Sequence, residues 1–220
     1  MTISKDDPDE RFAALAEQWI AVCVTAARPP RGIEDMARAF AIPWPQEAKQ
    51  ETLDETDVDP EHTFKVRFGV RRGWSYAVEH FTARGRQEET LKILSAGGGE
   101  ALALSHNPNS GYFSYAADGA FLTSFDIVAT TLRRGQDPDR FEEEMARAGM
   151  PSVPGALAAA ARFVRLAFGL ELEPEMIEMR LPSYLLAWPP STVADITAAR
   201  PASPSPPPPT SRSSTEPGLR

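Results

Sequence analysis

The sequence predicts an α+β domain in which N- and C-terminal helices flank a mostly antiparallel sheet of about five strands. Aromatic and β-branched residues recur over residues 62–70, 74–81, 101–106, 112–116 and 120–128, with a short helix expected at Glu88–Ser95. Turn sequences separate these runs, among them three glycines at 97–99 and the pair Asp118-Gly119. Asp-Gly favours a two-residue hairpin because type I′ turns need positive φ at both positions. Short strands joined by tight turns indicate an antiparallel meander.

The first 61 residues are expected to form two helices and an exposed connection. Asp7 can cap the first helix, and Pro8 suits its first position because the missing N–H would lack a partner there anyway. We expect this helix to run to Pro29-Pro30, with the acidic residues 47–61 forming the exposed connection after a second helix at 33–40. The stripe that predicts the first helix comprises Phe12, Leu15, Ala16, Trp19, Ile20, Cys23 and Val24.

The C-terminal part of the chain divides into helices and a proline-rich tail. Asp137 and Pro138 predict a helix that ends at Gly149, and residues 154–169 and 175–179 predict two more. Residues 201–209 are mostly proline with serine, and nothing apolar follows that could offset the entropy of ordering. The expected organisation is therefore disorder at 1–7, a single α+β domain at 8–188 and a disordered tail at 189–220.

Composition and motifs exclude several classes of function. A net charge of −8 over 220 residues argues against a nucleic-acid partner, because phosphate binding needs clustered Lys and Arg. A single cysteine excludes an internal disulfide and a Cys-built metal site. The glycine triplet follows a helix and precedes a strand, the reverse of a phosphate loop, so no cofactor is expected. Without a secretory signal or an apolar run of 18 residues, we expect a cytoplasmic protein that does not enter a membrane.

One constellation could support acid–base catalysis. His106 ends a predicted strand, Asn107 and Asn109 lie in the turn after it, and Asp126 lies on the last strand of the meander. If the register allows, the carboxylate could orient the imidazole. The alternative is an exposed histidine beside a turn whose asparagines tolerate left-handed φ. No metal site is expected, because the three histidines lack metal-binding spacing.

Aromatic side chains are the second candidate for a site. Trp74, Tyr76, Tyr112 and Tyr115 are dense within one predicted sheet. Strand alternation should send some of them to the face away from the main core. Such a surface could stack a ligand or anchor a partner, since Trp and Tyr dominate interface hot spots. Alternatively, helices cover both faces of the sheet.

Short motifs give the chain a resemblance to a known family. They are Gly73-Trp74 followed by Glu79, Leu94-Ser95, Phe113-Ser114-Tyr115, Asp118-Gly119, Ser124-Phe125-Asp126, Arg134-Gly135 and Asp137-Pro138-Asp139. With these motifs, residues 11–169 resemble a domain family of unknown function from actinobacteria. The resemblance implies a small α+β domain and supplies no activity, cofactor or catalytic residue.

Three functions are compatible with these observations. The first is a non-catalytic protein-interaction module, which fits the missing catalytic motif and the aromatic residues. The second is a small-molecule-binding domain or enzyme that uses His106 and Asp126. The third is an immunity-like protein that inhibits a basic toxin with the acidic residues 47–61.

Overall fold

One antiparallel sheet of nine strands organises the described part of the chain. The computed structural model describes residues 7–19, 21–53 and 63–187. The strand order is β2-β9-β3-β4-β1-β5-β6-β7-β8. The strands are β1 (Val22–Arg28), β2 (Lys49–Glu51), β3 (Thr63–Arg71), β4 (Trp74–His80), β5 (Glu100–Asn107), β6 (Ser110–Ala117), β7 (Ala120–Asp126), β8 (Arg133–Arg134) and β9 (Leu181–Ala187). The helices are α1 (Pro8–Ala16), α2 (Ile33–Ala39), α3 (Glu88–Ser95), α4 (Glu142–Ala148), α5 (Ala156–Phe168) and α6 (Pro174–Glu178).

Helices cover both faces of this sheet, so it has two cores. On one face, α1, α4, α5 and α6 pack against strand residues such as Trp74 and Phe113. On the other, α2 and α3 pack against residues such as Phe68 and Ala103. We call these the α5 face and the α3 face. The α+β class and the antiparallel sheet are confirmed, but the predicted number of strands, about five, is too low.

The N-terminal helix is shorter than predicted. It ends at Ala16, and β1 begins at Val22 between β4 and β5. Six consecutive residues of β1 are buried because its two sides contact different cores. A strand buried on both faces lacks the alternation of polar and apolar residues that identifies a strand. The apolar residues of β1 therefore fitted the stripe predicted for the first helix by coincidence. Cys23 therefore lies on a strand, although it is buried as expected.

Other differences lie where the local signal is weak. Strands β2 and β8 contain three and two residues, too few for any periodicity, and β2 lies within the segment expected to be an exposed connection. Helix α4 begins at Glu142 rather than near Asp137. The predicted disorder at 1–7 and 189–220, and most of the acidic segment, fall outside the described residues or at their margin. None of the described helices is long and apolar enough to span a membrane.

Candidate functional site

A row of polar side chains crosses the α3 face. Five residues are consecutive partners in the sheet register: Glu79 on β4, Cys23 on β1, Ser105 on β5, Tyr112 on β6 and Asp126 on β7. Directly paired residues of antiparallel strands point to the same face, so the five side chains lie side by side. Neighbouring positions on this face are largely apolar or small, among them Ala77, Ala103 and Ala116. The row therefore places four polar side chains beside the core of this face, to which Cys23 itself belongs.

Glu79 is the buried end of this row. Its side chain is fully buried and accepts hydrogen bonds from the Thr82 hydroxyl at 2.6 Å, the Arg84 N–H at 2.7 Å and the Gly85 N–H at 2.8 Å. Burial raises the pKa of the carboxyl group, and these bonds counter part of that rise. The carboxylate thus ties the 3₁₀ turn Arg84–Arg86 to the sheet.

Gly85 allows that turn to approach the sheet closely. A Cβ atom added at this position would overlap the Thr25 hydroxyl and would lie 2.8 Å from Thr25 Cβ and 2.9 Å from Glu79 Oε1. These distances are shorter than side-chain carbons tolerate, and Thr25 itself is fully buried. Glycine is therefore required by space at this position.

Cys23 is sealed beneath the same turn. Burial raises the pKa of its thiol, and the neighbouring Glu79 carboxylate raises it further. The sulfur lies 3.8 Å from the Thr25 hydroxyl oxygen. A thiol without access to solvent, held in its protonated form, lacks the thiolate character of a catalytic cysteine.

The open end of the row is a groove of about 520 Å³. The Arg86 guanidinium lies 4.3 Å from the centre of the Tyr112 ring, and that of Arg134 lies 5.9 Å from the centre of the Phe121 ring. A smaller pocket of about 140 Å³ shares Arg86 and Tyr112 with the groove. The groove is lined by Arg86, Tyr112, Ser124, Phe125, Asp126, Leu132, Arg133 and Arg134.

The three arginines of the groove differ in their partners. Arg133 pairs with Asp139 and with Glu142, each at 2.8 Å. Arg86 and Arg134 make no ion pair with any residue in the described ranges. Within the described part of the chain, the site therefore carries two guanidinium groups without a salt bridge.

The acid–base pair suggested by the sequence is not formed. His106 pairs with Gly111, whereas Asp126 pairs with Tyr112, the next residue along β6. Adjacent residues of a strand point to opposite faces, so the imidazole lies on the α5 face and the carboxylate on the α3 face. Asp126 Oδ1 instead accepts hydrogen bonds from the N–H groups of Val128 and Ala129.

The turn after His106 matches the alternative interpretation only in part, because His106 is half-buried rather than exposed and neither Asn107 nor Asn109 has a positive φ. Asn107 Oδ1 accepts hydrogen bonds from the N–H groups of Asn109 and Ser110, both at 2.9 Å, which closes the hairpin. Burial lowers the pKa of His106, and its Nδ1 is buried without a hydrogen-bond partner among the described residues. No group of three or more His, Cys, Asp and Glu side chains in the described ranges could hold a metal ion.

The four aromatic candidates have different environments. Trp74, Tyr76 and Tyr115 are buried on the α5 face, with 2%, 2% and 5% of their surface exposed. The Tyr115 hydroxyl donates to Glu100 at 3.1 Å, and burial raises the pKa of this tyrosine to about 12. Tyr112 alone among the four is half-buried and reaches the groove.

Sequence reasoning missed Glu79, Arg86 and Arg134 because their proximity depends on strand register and on the turn at Gly85.

A family model matches residues 33–166, and its description is Family of unknown function (DUF6461). The chain belongs to this family. The match spans α2 to α5, so the DUF6461 region includes Glu79, Ser105, Tyr112 and Asp126, while Cys23 precedes it. Searches of curated proteins and of solved structures returned no match.

Proposed function

We propose that this DUF6461 protein is a non-catalytic protein-interaction module that recognises its partner through the groove beside Tyr112. The observation that carries the proposal is the arrangement of a half-buried tyrosine against Arg86 in an open groove. Tyr and Arg are enriched among residues that dominate binding energy at protein interfaces. An actinobacterial origin and a cytoplasmic location, both expected from the sequence, stay predictions.

The state of the titratable groups supports binding rather than catalysis. Glu79 and Cys23 are closed to solvent, and Asp126 caps the turn that follows β7. His106 lines the smaller pocket beside the groove, but its imidazole lies on the opposite face of the sheet from the Asp126 carboxylate. General acid–base catalysis needs a proton-transfer group within hydrogen-bond reach of the substrate, and none of these side chains combines access with a catalytic partner.

A small-molecule-binding domain is the second candidate. Its support is the groove volume of about 520 Å³, which lies within the range of about 300–1,000 Å³ that is typical of ligand sites. The two candidates differ in what should stay bound to the protein when it is isolated gently.

Native mass spectrometry of the protein captured from its own cells tests the proposal. We expect a stoichiometric protein adduct that is lost with Tyr112→Ala and kept with Trp44→Ala, a matched control because Trp44 is 43% exposed and lies outside the groove. Both variants should unfold at the temperature of the unmodified protein within about 3 °C, corresponding to a change of about 1 kcal/mol. An adduct that survives Tyr112→Ala, or a retained small molecule without any protein, would contradict the proposal.

A further inference from the structure

We infer that the groove recognises an acidic peptide segment, whose carboxylates pair with Arg86 and Arg134 while an apolar side chain packs beside Tyr112. This inference rests on the proposed function and adds the chemical class of the partner. It follows from the charges of the groove, from the way Arg86 is held and from the position of Asp126.

The groove carries positive charge on a chain that is acidic overall. With a net charge of −8, this protein repels anions at long range. An anionic ligand must therefore gain its affinity from close contacts with a local positive site. Arg133 is already paired with acidic neighbours, but Arg86 and Arg134 have no ion-pair partner in the described ranges. The planar guanidinium presents two parallel donors that match a carboxylate. Asp and Glu side chains are therefore the groups that these two arginines fit.

Arg86 is held in place before a ligand arrives. Its backbone belongs to the turn that Glu79 fixes through the Arg84 and Gly85 N–H groups, and its guanidinium stacks on Tyr112. A side chain that is already ordered loses less conformational entropy on binding. Glu79 therefore acts as a positioning residue for the anion contact, although it is sealed from the groove itself.

Asp126 and Leu132 make the groove better suited to a peptide than to a phosphate group or a nucleic acid. The Asp126 carboxylate lies next to Tyr112 in the polar row and would repel a phosphate dianion or a nucleic-acid backbone. A peptide can offer a backbone N–H to this carboxylate and place its own acidic side chains toward the arginines. Leu132 is 73% exposed at the groove and provides an apolar contact. The expected segment thus mixes Asp or Glu with Leu-like residues.

Fluorescence anisotropy with the full-length protein tests this inference. The probe is a labelled decapeptide pool randomised among Asp, Glu, Leu and Gly, and the control pool replaces Asp and Glu by Asn and Gln. We expect the acidic pool to bind at least tenfold more tightly. Binding should weaken as salt rises from 50 to 300 mM, because the screening length of exposed charges falls from about 14 Å to about 6 Å over this range. No preference for the acidic pool would overturn the inference.

Neutral variants assign the effect to the groove. Arg86→Gln and Arg134→Gln should each weaken binding of the acidic pool about tenfold, whereas Arg147→Gln, an exposed position on α4 outside the groove, should change it less than twofold. Thermal unfolding of each variant ensures that lost binding does not reflect lost folding. Equal effects at all three positions would contradict the assignment. Displacement of the pool by inorganic phosphate at lower concentration than by glutamate would show a small-anion site instead.

The outcomes separate this inference from the proposed function. A cellular partner lost with Tyr112→Ala but retained with both Arg86→Gln and Arg134→Gln would keep the interaction module and overturn its acidic ligand. An acidic pool that binds through the arginines, without any cellular protein partner, would support the ligand class and contradict the proposed function.

Discussion

Replacing Glu79 by alanine should lower the free energy of unfolding by about 3 kcal/mol. The side chain is fully buried and accepts hydrogen bonds from the Arg84 N–H, the Gly85 N–H and the Thr82 hydroxyl. Alanine removes the acceptor and leaves these donors in place. Buried donors without partners lose their hydration without recovering a hydrogen bond, which costs about 1–3 kcal/mol each.

The magnitude follows from the environment of each donor. The Thr82 hydroxyl is half-buried and can turn toward water, so its loss contributes little. The buried Gly85 N–H loses its only acceptor, whereas the Arg84 N–H keeps a second one, the Thr82 hydroxyl at 3.3 Å, so together they cost about 2–4 kcal/mol. Removing a buried carboxylate also relieves its own desolvation, as its raised pKa indicates, and this relief offsets part of the loss. A net loss of about 3 kcal/mol lies between these limits.

Equilibrium unfolding in urea measures this loss. The midpoint should fall at an unchanged slope, and the melting temperature should fall by about 6–12 °C for a domain of this size. Glu89→Ala is the matched control, because this glutamate is exposed on α3 and should change the free energy of unfolding by less than about 0.5 kcal/mol. A loss below about 1 kcal/mol for Glu79→Ala would refute the assignment of Glu79 as the anchor of the turn.

The pH dependence gives an independent check on the same residue. Because the pKa of Glu79 is raised above its ordinary value of 4.5, the native state binds this proton more tightly than the unfolded state. The free energy of unfolding contributed by this group is therefore highest below pH 4.5 and falls as pH rises through the native pKa. Glu79→Gln should remove this fall, so the stability difference between the unmodified protein and Glu79→Gln should change over that range. A constant difference would contradict the raised pKa.

Three further predictions concern other buried groups. Burial lowers the pKa of His80 from 6.5 to about 4, so on acidification the unfolded state binds the proton first. The free energy of unfolding should therefore fall by about 3 kcal/mol as pH drops from 6.5 to 4. His80→Phe should abolish this contribution in acid unfolding curves. Cys23 should react with a thiol reagent only at the rate of unfolding, and fast labelling of the native protein would contradict its burial. Arg165→Ala should cost about 2 kcal/mol in urea unfolding, because the buried Asp9 carboxylate loses its 2.7 Å partner and keeps Arg162 at 3.7 Å. The exposed Arg11→Ala should cost less than about 1 kcal/mol.

The β3–β4 hairpin and the β5–β6–β7 meander were predictable because their signals are local, although β1 lies between β4 and β5 and interrupts the single meander that was expected. Alternating residues of β4, β6 and β7 combine with turn residues whose backbone needs are specific. Asp118 and Gly119 have φ of +47° and +74°, as the two-residue hairpin requires. Helices α3 and α5 begin and end within two residues of the expected positions, because their apolar stripes are long enough to identify.

The remaining strands were hidden because their burial comes from the tertiary structure. β1 is covered on both faces, so Val22, Cys23 and Val24 are all buried and show no period. The sequence separation between β1 and its neighbours, β4 and β5, also removes any local cue to its pairing. Strand β9 returns from the C-terminal helices to lie between β2 and β3, a connection that no short-range pattern indicates.

The candidate site was less predictable than the fold, since it depends on four consecutive strand pairings. A shift of one residue in the pairing of β5 and β6 would turn Tyr112 away from Ser105 and would break the row. The sequence offered Tyr112 and Asp126 as candidates but placed Asp126 with His106. Only the register shows that Asp126 belongs with Tyr112 instead.

Adjacent residues of one turn connect the stability of the domain to its proposed binding. Gly85 is buried against Thr25 and donates to Glu79, while Arg86, the next residue, reaches out to Tyr112. A change at Glu79 should therefore weaken both folding and binding of an acidic ligand. Tyr112→Ala should weaken binding while leaving the turn anchored, because the hydrogen bonds of Glu79 do not involve the tyrosine. If Glu79 positions the groove, changing it should weaken both folding and binding, whereas Tyr112→Ala should weaken binding alone. If the exposed side chains alone formed the groove, a change at Glu79 would weaken folding and leave binding by the folded protein unchanged.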